Sequence, residues 1–181
     1  MSIYNTKISY GSVSKLLHWT ISIALIFMIV IGFYLKELSR FYTNIGMLHK
    51  SIGLILLAAM LVRFLWRCQN MSPVLPASVP RWQVRTSNFT HYVLYFLVFT
   101  MIFSGWVMSS AAGKAPNFFG MFLAPMPYIP LSTSLKIFGR NVHYYFGWIL
   151  VALITLHILA AFKHHFINKD GVLRRMLPFG N

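Results

Sequence analysis

Four long apolar segments constrain this chain more than any other feature. They cover residues 15–36, 46–67, 89–110 and 142–163. The hydrocarbon core of a bilayer is about 30 Å thick and needs about 20 apolar residues per helix. Only 10% of the side chains are charged, whereas soluble domains carry about 25%. We therefore expect an all-α integral membrane protein, a four-transmembrane-helix bundle built by residues 1–181 as a single domain.

The distribution of Lys and Arg predicts the orientation of this bundle. Four spans place both termini and the second loop on one side. That side carries Lys7, Lys15, Arg63, Arg67, Arg81, Arg85, Lys163, Lys169, Arg174 and Arg175, and the opposite side carries Lys36, Arg40, Lys50, Lys114, Lys136 and Arg140. Cytoplasmic loops carry an excess of basic residues. Both termini are therefore predicted to be cytoplasmic.

Four histidines form two pairs at matched depths. His143 and His157 are 14 residues apart on the fourth segment, which is close to four helical turns and about 21 Å. His49 begins the second segment at the level of His143, and His18 lies at the level of His157. Two histidines facing each other across a bundle are typical ligands of haem b. The pattern predicts two haems b, an inner one on His18 and His157 and an outer one on His49 and His143.

Small residues support these haem positions. The residue four places after each predicted ligand is small, as a flat porphyrin against a helix requires; these residues are Ser22, Gly53, Gly147 and Ala161. Gly32 and Gly105 are expected near the outer haem, although small residues also serve helix packing. No Cys-x-x-Cys-His motif is present for covalent attachment of haem. Either haem would therefore be held by ligation and packing alone.

Several alternatives remain open for the histidines. A single intramembrane histidine can simply be a polar group with a hydrogen-bond partner. His91 could compete with His18 for the inner iron, although an interfacial position beside Asn88 and Thr90 also suits it. A non-haem metal transporter would use the ten Met and seven His residues. The only acidic residues are Glu37 and Asp170, so the carboxylate relay of a pump is excluded.

Three stretches of the chain resemble the bacterial cytochrome b561 family. They are "SKLLHW" around His18, "HKSIGLILLAAMLVRFLWR" from His49, and the tail "LHILAAFKHHFINKDGVLRRMLP". The resemblance implies a four-helix, di-haem b protein of the bacterial inner membrane that moves electrons between a quinone and a second redox partner. Some similar members are superoxide oxidases, which pass electrons from superoxide to ubiquinone. The family's haem ligands correspond to the same two histidine pairs.

The expected function is therefore transmembrane electron transfer by an oxidoreductase, most simply a superoxide:ubiquinone oxidoreductase. The alternative is a haem b subunit that oxidises quinol for a separate dehydrogenase or reductase and docks a periplasmic partner. Lipid, quinone and superoxide are the expected partners. Nucleic acid is excluded despite the net charge of +14, because the cations flank membrane helices.

Basic and polar side chains complete the predicted sites. Arg63 and Arg67 are candidates to pair with the inner haem propionates, with Lys15 nearby. Lys50, Lys136 and Arg140 would form a basic outer mouth that attracts superoxide. The quinone is placed at His164 near Arg174, with His165 as the next candidate, since protonatable groups there could exchange protons with a quinone.

Overall fold

The computed structural model describes residues 2–76 and 78–178, and its framework is helical. The long helices are α1 (Ser12–Phe33), α3 (Ile45–Gln69), α4 (Arg81–Ala111) and α5 (Thr133–Phe162), with a short α2 (Leu35–Leu38) after α1. A π-helix (Lys163–Asn168) continues α5, and a 3-10 helix (Arg174–Met176) follows. The four long helices are long and apolar enough to cross a membrane. The prediction of an all-α protein with four membrane-spanning helices is confirmed.

The apolar side chains of these helices lie largely on their outer surfaces. Ile23, Phe27 and Val30 of α1 are exposed, whereas Ser51 and Ser104 are buried. A water-soluble protein would reverse this arrangement. Lipid tails solvate apolar side chains as well as a protein interior does, so the buried positions can be given to small and polar residues.

Two of the predicted helix boundaries are wrong. The third helix begins at Arg81 rather than at residue 89, and the fourth begins at Thr133 rather than at residue 142. Hydropathy detects the part of a helix that crosses lipid, and both helices extend beyond it. Pro80 accepts the first backbone bonds of α4, from Gln83 and Val84. Ser132 caps α5 by accepting the Leu135 N–H at 3.3 Å.

The first helix also differs from its predicted range of 15–36. Helix α1 begins at Ser12 and ends at Phe33, and α2 is separate. The Tyr34 backbone lies outside helical geometry, with φ −97° and ψ 13°. Polar groups around Lys36 and Glu37 follow this break, so the helix ends three residues before the predicted end at residue 36.

The helices divide into two compact units. The first unit comprises the described residues up to Ser22, from Ala59 to Tyr95 and from Ala152 onward. Within it, the Trp19 indole donates to the Met176 carbonyl at 2.8 Å, and Arg175 donates to the Val74 carbonyl. These bonds dock the C-terminal segment against its own unit. The prediction that residues 1–181 form a single domain stays a prediction.

The second unit comprises Ile23–Ala58 and Phe96–Val151, and it contains a tethered loop at residues 112–132, called the cap loop here. Within this loop β1 (Asn117–Phe118) pairs antiparallel with β2 (Phe122–Leu123). The turn between them uses a left-handed Gly120 with φ +80°, which glycine adopts without steric cost. The connection between α4 and α5 is therefore partly structured.

Buried polar side chains hold the cap loop to α3 and α4. Ser51, which is 0% exposed, donates to the Asn117 carbonyl at 3.1 Å and accepts the Phe119 N–H at 3.0 Å. The Trp106 indole donates to the Ala124 carbonyl at 2.8 Å. The backbone carbonyl and N–H groups of the loop that form these bonds are satisfied without water. The loop is consequently fixed to the helix ends at several points.

Candidate functional site

His49 of α3 and His143 of α5 face each other in the second unit. Their ring centroids are 6.4 Å apart, and the ring planes cross at 71°. A bond from a metal ion to an imidazole nitrogen is about 2 Å long and that nitrogen lies about 1 Å from its ring centroid, so two imidazoles on opposite sides of one ion have centroids about 6 Å apart. The observed separation fits one iron between two histidines.

A cavity of about 460 Å³ lies beside this pair. Its volume is in the range of sites for small molecules and cofactors. The walls are apolar apart from a few polar groups, and they include His49, His143, Gly32, Gly53, Gly105, Gly147, Phe33, Trp106, Lys50, Arg140 and Pro116. An apolar cavity with two imidazoles and two cations suits a porphyrin, which has an apolar ring and two carboxylates.

Glycines keep the space next to both imidazoles open. A Cβ added at Gly105 would lie 3.1 Å from Cε1 of His143, and one added at Gly32 would lie 3.3 Å from Cε1 of His49. Both separations are shorter than ordinary van der Waals contact. Gly53 and Gly147 face Met28 and Met101 less closely, at 3.8 and 3.4 Å. The glycines that most directly adjoin the imidazoles are thus Gly32 and Gly105.

The hydrogen bonds of His143 suit it to metal ligation. Its Nδ1 lies 2.8 Å from the Met101 carbonyl oxygen and 3.2 Å from Oγ of Ser104. A ligating histidine commonly donates one ring N–H to a carbonyl, which fixes the tautomer and leaves the other nitrogen to the metal. His143 Nε2 is left for that role. Nδ1 of His49 is buried without a hydrogen-bond partner among the described residues.

The three predicted basic residues of this region take different positions. Lys50 donates from Nζ to the Lys114 carbonyl at 2.8 Å, so its ammonium is tied to the cap loop. Arg140 is exposed and lines the cavity. Lys136 is exposed and lies one helical turn before Arg140 on α5, where side chains four residues apart share a face. Arg140 is the exposed cation that adjoins the cavity directly.

Three histidines meet in the first unit. The centroid of His157 on α5 lies 6.4 Å from that of His18 on α1 and 5.7 Å from that of His91 on α4. Both separations fit a shared iron. His91 lies within α4, which begins at Arg81, and does not open the helix; its interfacial position stays a prediction. His18 and His91 both remain available as partners for His157.

Arg63 has a buried donor that no described residue satisfies. Its Nε donates to the Tyr95 hydroxyl at 3.0 Å, but its NH1 nitrogen is buried without a partner. The guanidinium carbons of Arg63 and Arg67 each lie 5.9 Å from the Tyr95 ring centroid. A buried guanidinium normally pairs with an acceptor, preferably an anion. The carboxylate of a haem propionate would meet this need.

Tyr95, Ser51 and Ser104 were absent from the predicted site. Tyr95 follows His91 by four residues on α4, so the helical period indicates that the two share a face. Ser104 precedes Gly105 and is buried. Its role depends on a contact with His143, 39 residues away, which no local pattern encodes.

The predicted quinone residue His164 is paired with Asp170. Its Nδ1 is hydrogen-bonded to Oδ2 of Asp170, whose side chain is only 5% exposed. Oδ1 of Asp170 accepts the Val172 N–H at 3.1 Å. Burial raises the pKa of Asp170, but hydrogen bonds from His164 and Val172 outweigh it, so this pKa lies below its usual value. His165 instead packs edge-on against Phe166 at 4.7 Å.

The donor groups favour haem over a bare metal ion. Among residues 2–76 and 78–178, no group of three or more His, Cys, Asp or Glu side chains is arranged to hold a metal ion. A bare Zn²⁺ site takes four ligands. A porphyrin supplies four nitrogens itself and needs only the two axial histidines, as the observed pairs offer.

Comparisons with known proteins identify the family of this chain. The family profile for prokaryotic cytochrome b561 matches residues 9–179. "Cytochrome b561 homolog 2" of Escherichia coli (strain K12) is 35% identical over 181 residues, which is 98% of this chain and 95% of the relative. "Cytochrome b561 homolog 1" of the same organism is 27% identical over 72% of this chain and 73% of its own length. "Probable superoxide oxidase CybB" of Yersinia pestis is 26% identical over 90% of this chain and 92% of its own length.

Proposed function

Because the chain belongs to the prokaryotic cytochrome b561 family of haem b membrane electron carriers, we propose that it oxidises superoxide and reduces a quinone. The resemblance drawn from the sequence is confirmed at the level of the family. The observation that carries the finer proposal is that the exposed Arg140 lines the same cavity as His49 and His143. One relative is named a probable superoxide oxidase, which agrees with this choice.

His49 with His143 and His18 with His157 would each hold one haem b. Bound haem supplies a centre that accepts and releases single electrons, with no open coordination position needed. Three cations would offset the propionate charge. Lys50 lines the cavity, and Arg63 and Arg67 lie beside Tyr95 in the first unit. His143 would be oriented by the Met101 carbonyl.

The basic side chains of α5 would gather superoxide. A small anion that approaches a positive surface gains on-rate by about 10- to 1000-fold, and the gain falls with ionic strength. Arg140 at the cavity and Lys136 one turn away would supply this field. Superoxide loses one electron and leaves as dioxygen, so the site has no proton to deliver. Access and charge are sufficient for this half of the reaction.

The second half of the reaction needs protons. A quinone takes up two electrons and two protons to become a quinol, so two superoxide anions are consumed for each quinol formed. We place the quinone at His164, with Arg174 nearby in sequence and His165 as the next candidate. With both termini cytoplasmic in the bacterial inner membrane, these groups would draw protons from the cytoplasm.

Stopped-flow reduction by superoxide tests this function. Full-length protein is mixed with superoxide, and haem absorbance is followed at increasing salt. We expect fast reduction that slows with salt and slows by about tenfold when Lys136 and Arg140 are both changed to Gln. The matched control changes Lys163 and Lys169 to Gln, which removes the same charge from residues outside the cavity.

Either of two results would overturn the proposal. One is no reduction of the haems by superoxide. The other is a reduction rate that changes neither with salt nor with the paired Gln substitutions. Reduction of the haems by a quinol in that case would support the alternative, a haem b subunit that serves a separate dehydrogenase or reductase.

A further inference from the structure

Asp170 is an unusual residue in this chain because the sequence has only two acidic side chains and sixteen Lys and Arg residues. A lone carboxylate among so many cations could pair with almost any of them on the surface. It is instead 5% exposed and bonded to Nδ1 of His164. Burying a carboxylate costs free energy unless it is paired and hydrogen-bonded, so the pairing with an imidazole calls for an explanation.

The backbone of the C-terminal segment brings the two side chains together. Helix α5 widens into the π-helix Lys163–Asn168, and such segments occur frequently at functional sites. Lys169 and Gly171 then take left-handed conformations, with φ +52° and +76°, which turn the chain back. The Asp170 N–H returns to the His164 carbonyl at 3.4 Å. The dyad is therefore built by a local reversal of the chain.

Other bonds hold the carboxylate in place. Its Oδ1 accepts the Val172 N–H, and the Trp19 indole fixes the segment beyond it at the Met176 carbonyl. The Asn168 side chain also donates a hydrogen bond to Asp170. One ring nitrogen of His164 is thus occupied within the protein, and Nε2 is the nitrogen left to meet a ligand.

We propose that Asp170 is a positioning residue that orients His164, so that Nε2 of His164 exchanges a proton with a quinone carbonyl oxygen. The inference rests on the proposed quinone site and adds to it the group that makes His164 effective. A carboxylate hydrogen-bonded to Nδ1 fixes the ring orientation and the tautomer, as in catalytic dyads of acid–base enzymes.

The proton and electron balance is simple. Two electrons reach the quinone from two superoxide anions, each oxidised to dioxygen. His164 takes a proton from solvent at Nε2 and gives it to one quinone oxygen, while its Nδ1 proton stays in the hydrogen bond to Asp170. A second solvent proton follows the same route to the second quinone oxygen and leaves His164 as it began. Run in reverse, the same steps remove protons from a quinol.

A double-mutant cycle tests the role of Asp170. Full-length, haem-loaded protein is prepared as wild type, Asp170→Asn, His164→Gln and the double variant. Each is reduced and mixed with a short-chain ubiquinone, and kcat and KM are obtained from haem reoxidation. Equilibrium binding of the same quinone is measured separately. Arg85→Gln is the control, because it removes one charge from an exposed residue of α4, outside the segment that builds the dyad.

A role through His164 has a distinct signature. Loss of a well-placed proton donor costs about 10²- to 10⁴-fold, so we expect Asp170→Asn to lower kcat by about 10- to 100-fold with KM and quinone affinity unchanged. In the His164→Gln background the same substitution should have no further effect. Arg85→Gln should behave as wild type, and Asp170→Glu should keep more of the rate than Asp170→Asn does.

The failures of the two ideas are separable. Wild-type protein that does not reduce quinone would remove the proposed function itself. Wild-type reduction together with an Asp170→Asn variant of normal kcat, or with equal losses in both backgrounds, would overturn the positioning role alone. If Asp170→Asn fails to fold, Asp170→Glu takes its place in the cycle. The role is overturned if Asp170→Glu does not lower kcat in the protein that keeps His164.

Discussion

At the scale of single residues, the histidines of the two proposed haem sites have different neighbours. His143 is oriented by the Met101 carbonyl, whereas Nδ1 of His49 has no partner among the described residues. His157 adjoins both His18 and His91. Spacing along the sequence predicted His18 as the partner of His157. Spacing indicates how deep a residue lies in the membrane, but it cannot choose between two histidines at the same depth.

Alanine substitutions decide between His18 and His91. We expect two haems b per wild-type chain by pyridine haemochrome analysis, and one after His49→Ala, His143→Ala, His18→Ala or His157→Ala. His165→Ala should keep both haems, since its ring packs on Phe166. A ratio near one in the wild type would contradict the di-haem proposal. Loss of haem in His91→Ala but not in His18→Ala would transfer the ligand role to His91.

Gly105→Ala tests the space beside His143. The added methyl would lie 3.1 Å from Cε1 of the imidazole, which forces the ring or the helix to move. We expect this variant to bind fewer than two haems or to show a shifted Soret band. Val62→Ile is the control, because it also adds one carbon atom, and Val62 is exposed and is not among the residues that line the cavity. Unchanged spectra and haem content in Gly105→Ala would show that the close approach is not needed.

At the scale of elements, the cap loop shows where prediction from sequence stops. The four spans follow from hydrophobic length alone, which is why they were found. The attachment of the loop depends on Ser51 meeting Asn117 and Phe119, which are 66 and 68 positions away. No local pattern encodes such a contact. The early starts of α4 and α5 were missed for a related reason, since helices continue beyond the lipid they cross.

Ser51→Ala should release the cap loop. The substitution removes two hydrogen bonds, each contributing about 1 kcal/mol net, so the loop should open roughly 30-fold more often. Hydrogen exchange over residues 112–132 and tryptic cleavage after Lys114 would measure this opening. Ser39→Ala is the control, because Ser39 is exposed and makes only a local bond to Lys36. Equal exchange in both variants would mean that the other tethers suffice.

At the scale of the whole molecule, charge and apolar surface have separate functions. The chain has sixteen Lys and Arg residues but only two acidic residues, and the exposed surface of the long helices is largely apolar. The cations therefore cannot be neutralised within the chain and must be offset by lipid phosphates, propionates or anionic substrates. For the proposed function, the orientation of the basic side consequently decides which compartment would supply superoxide and which would supply protons.

The single cysteine, Cys68, allows this orientation to be measured without new labels. It is exposed and lies one residue before the end of α3 at Gln69, on the side predicted to be cytoplasmic. A membrane-impermeant maleimide should therefore label it in inverted inner-membrane vesicles but not in intact cells with permeable outer membranes. The control is Cys68→Ser combined with Ser39→Cys, which should label only in the cells. Labelling of Cys68 from outside would reverse the orientation, expose His164 and Asp170 to the periplasm, and require superoxide to come from the cytoplasm.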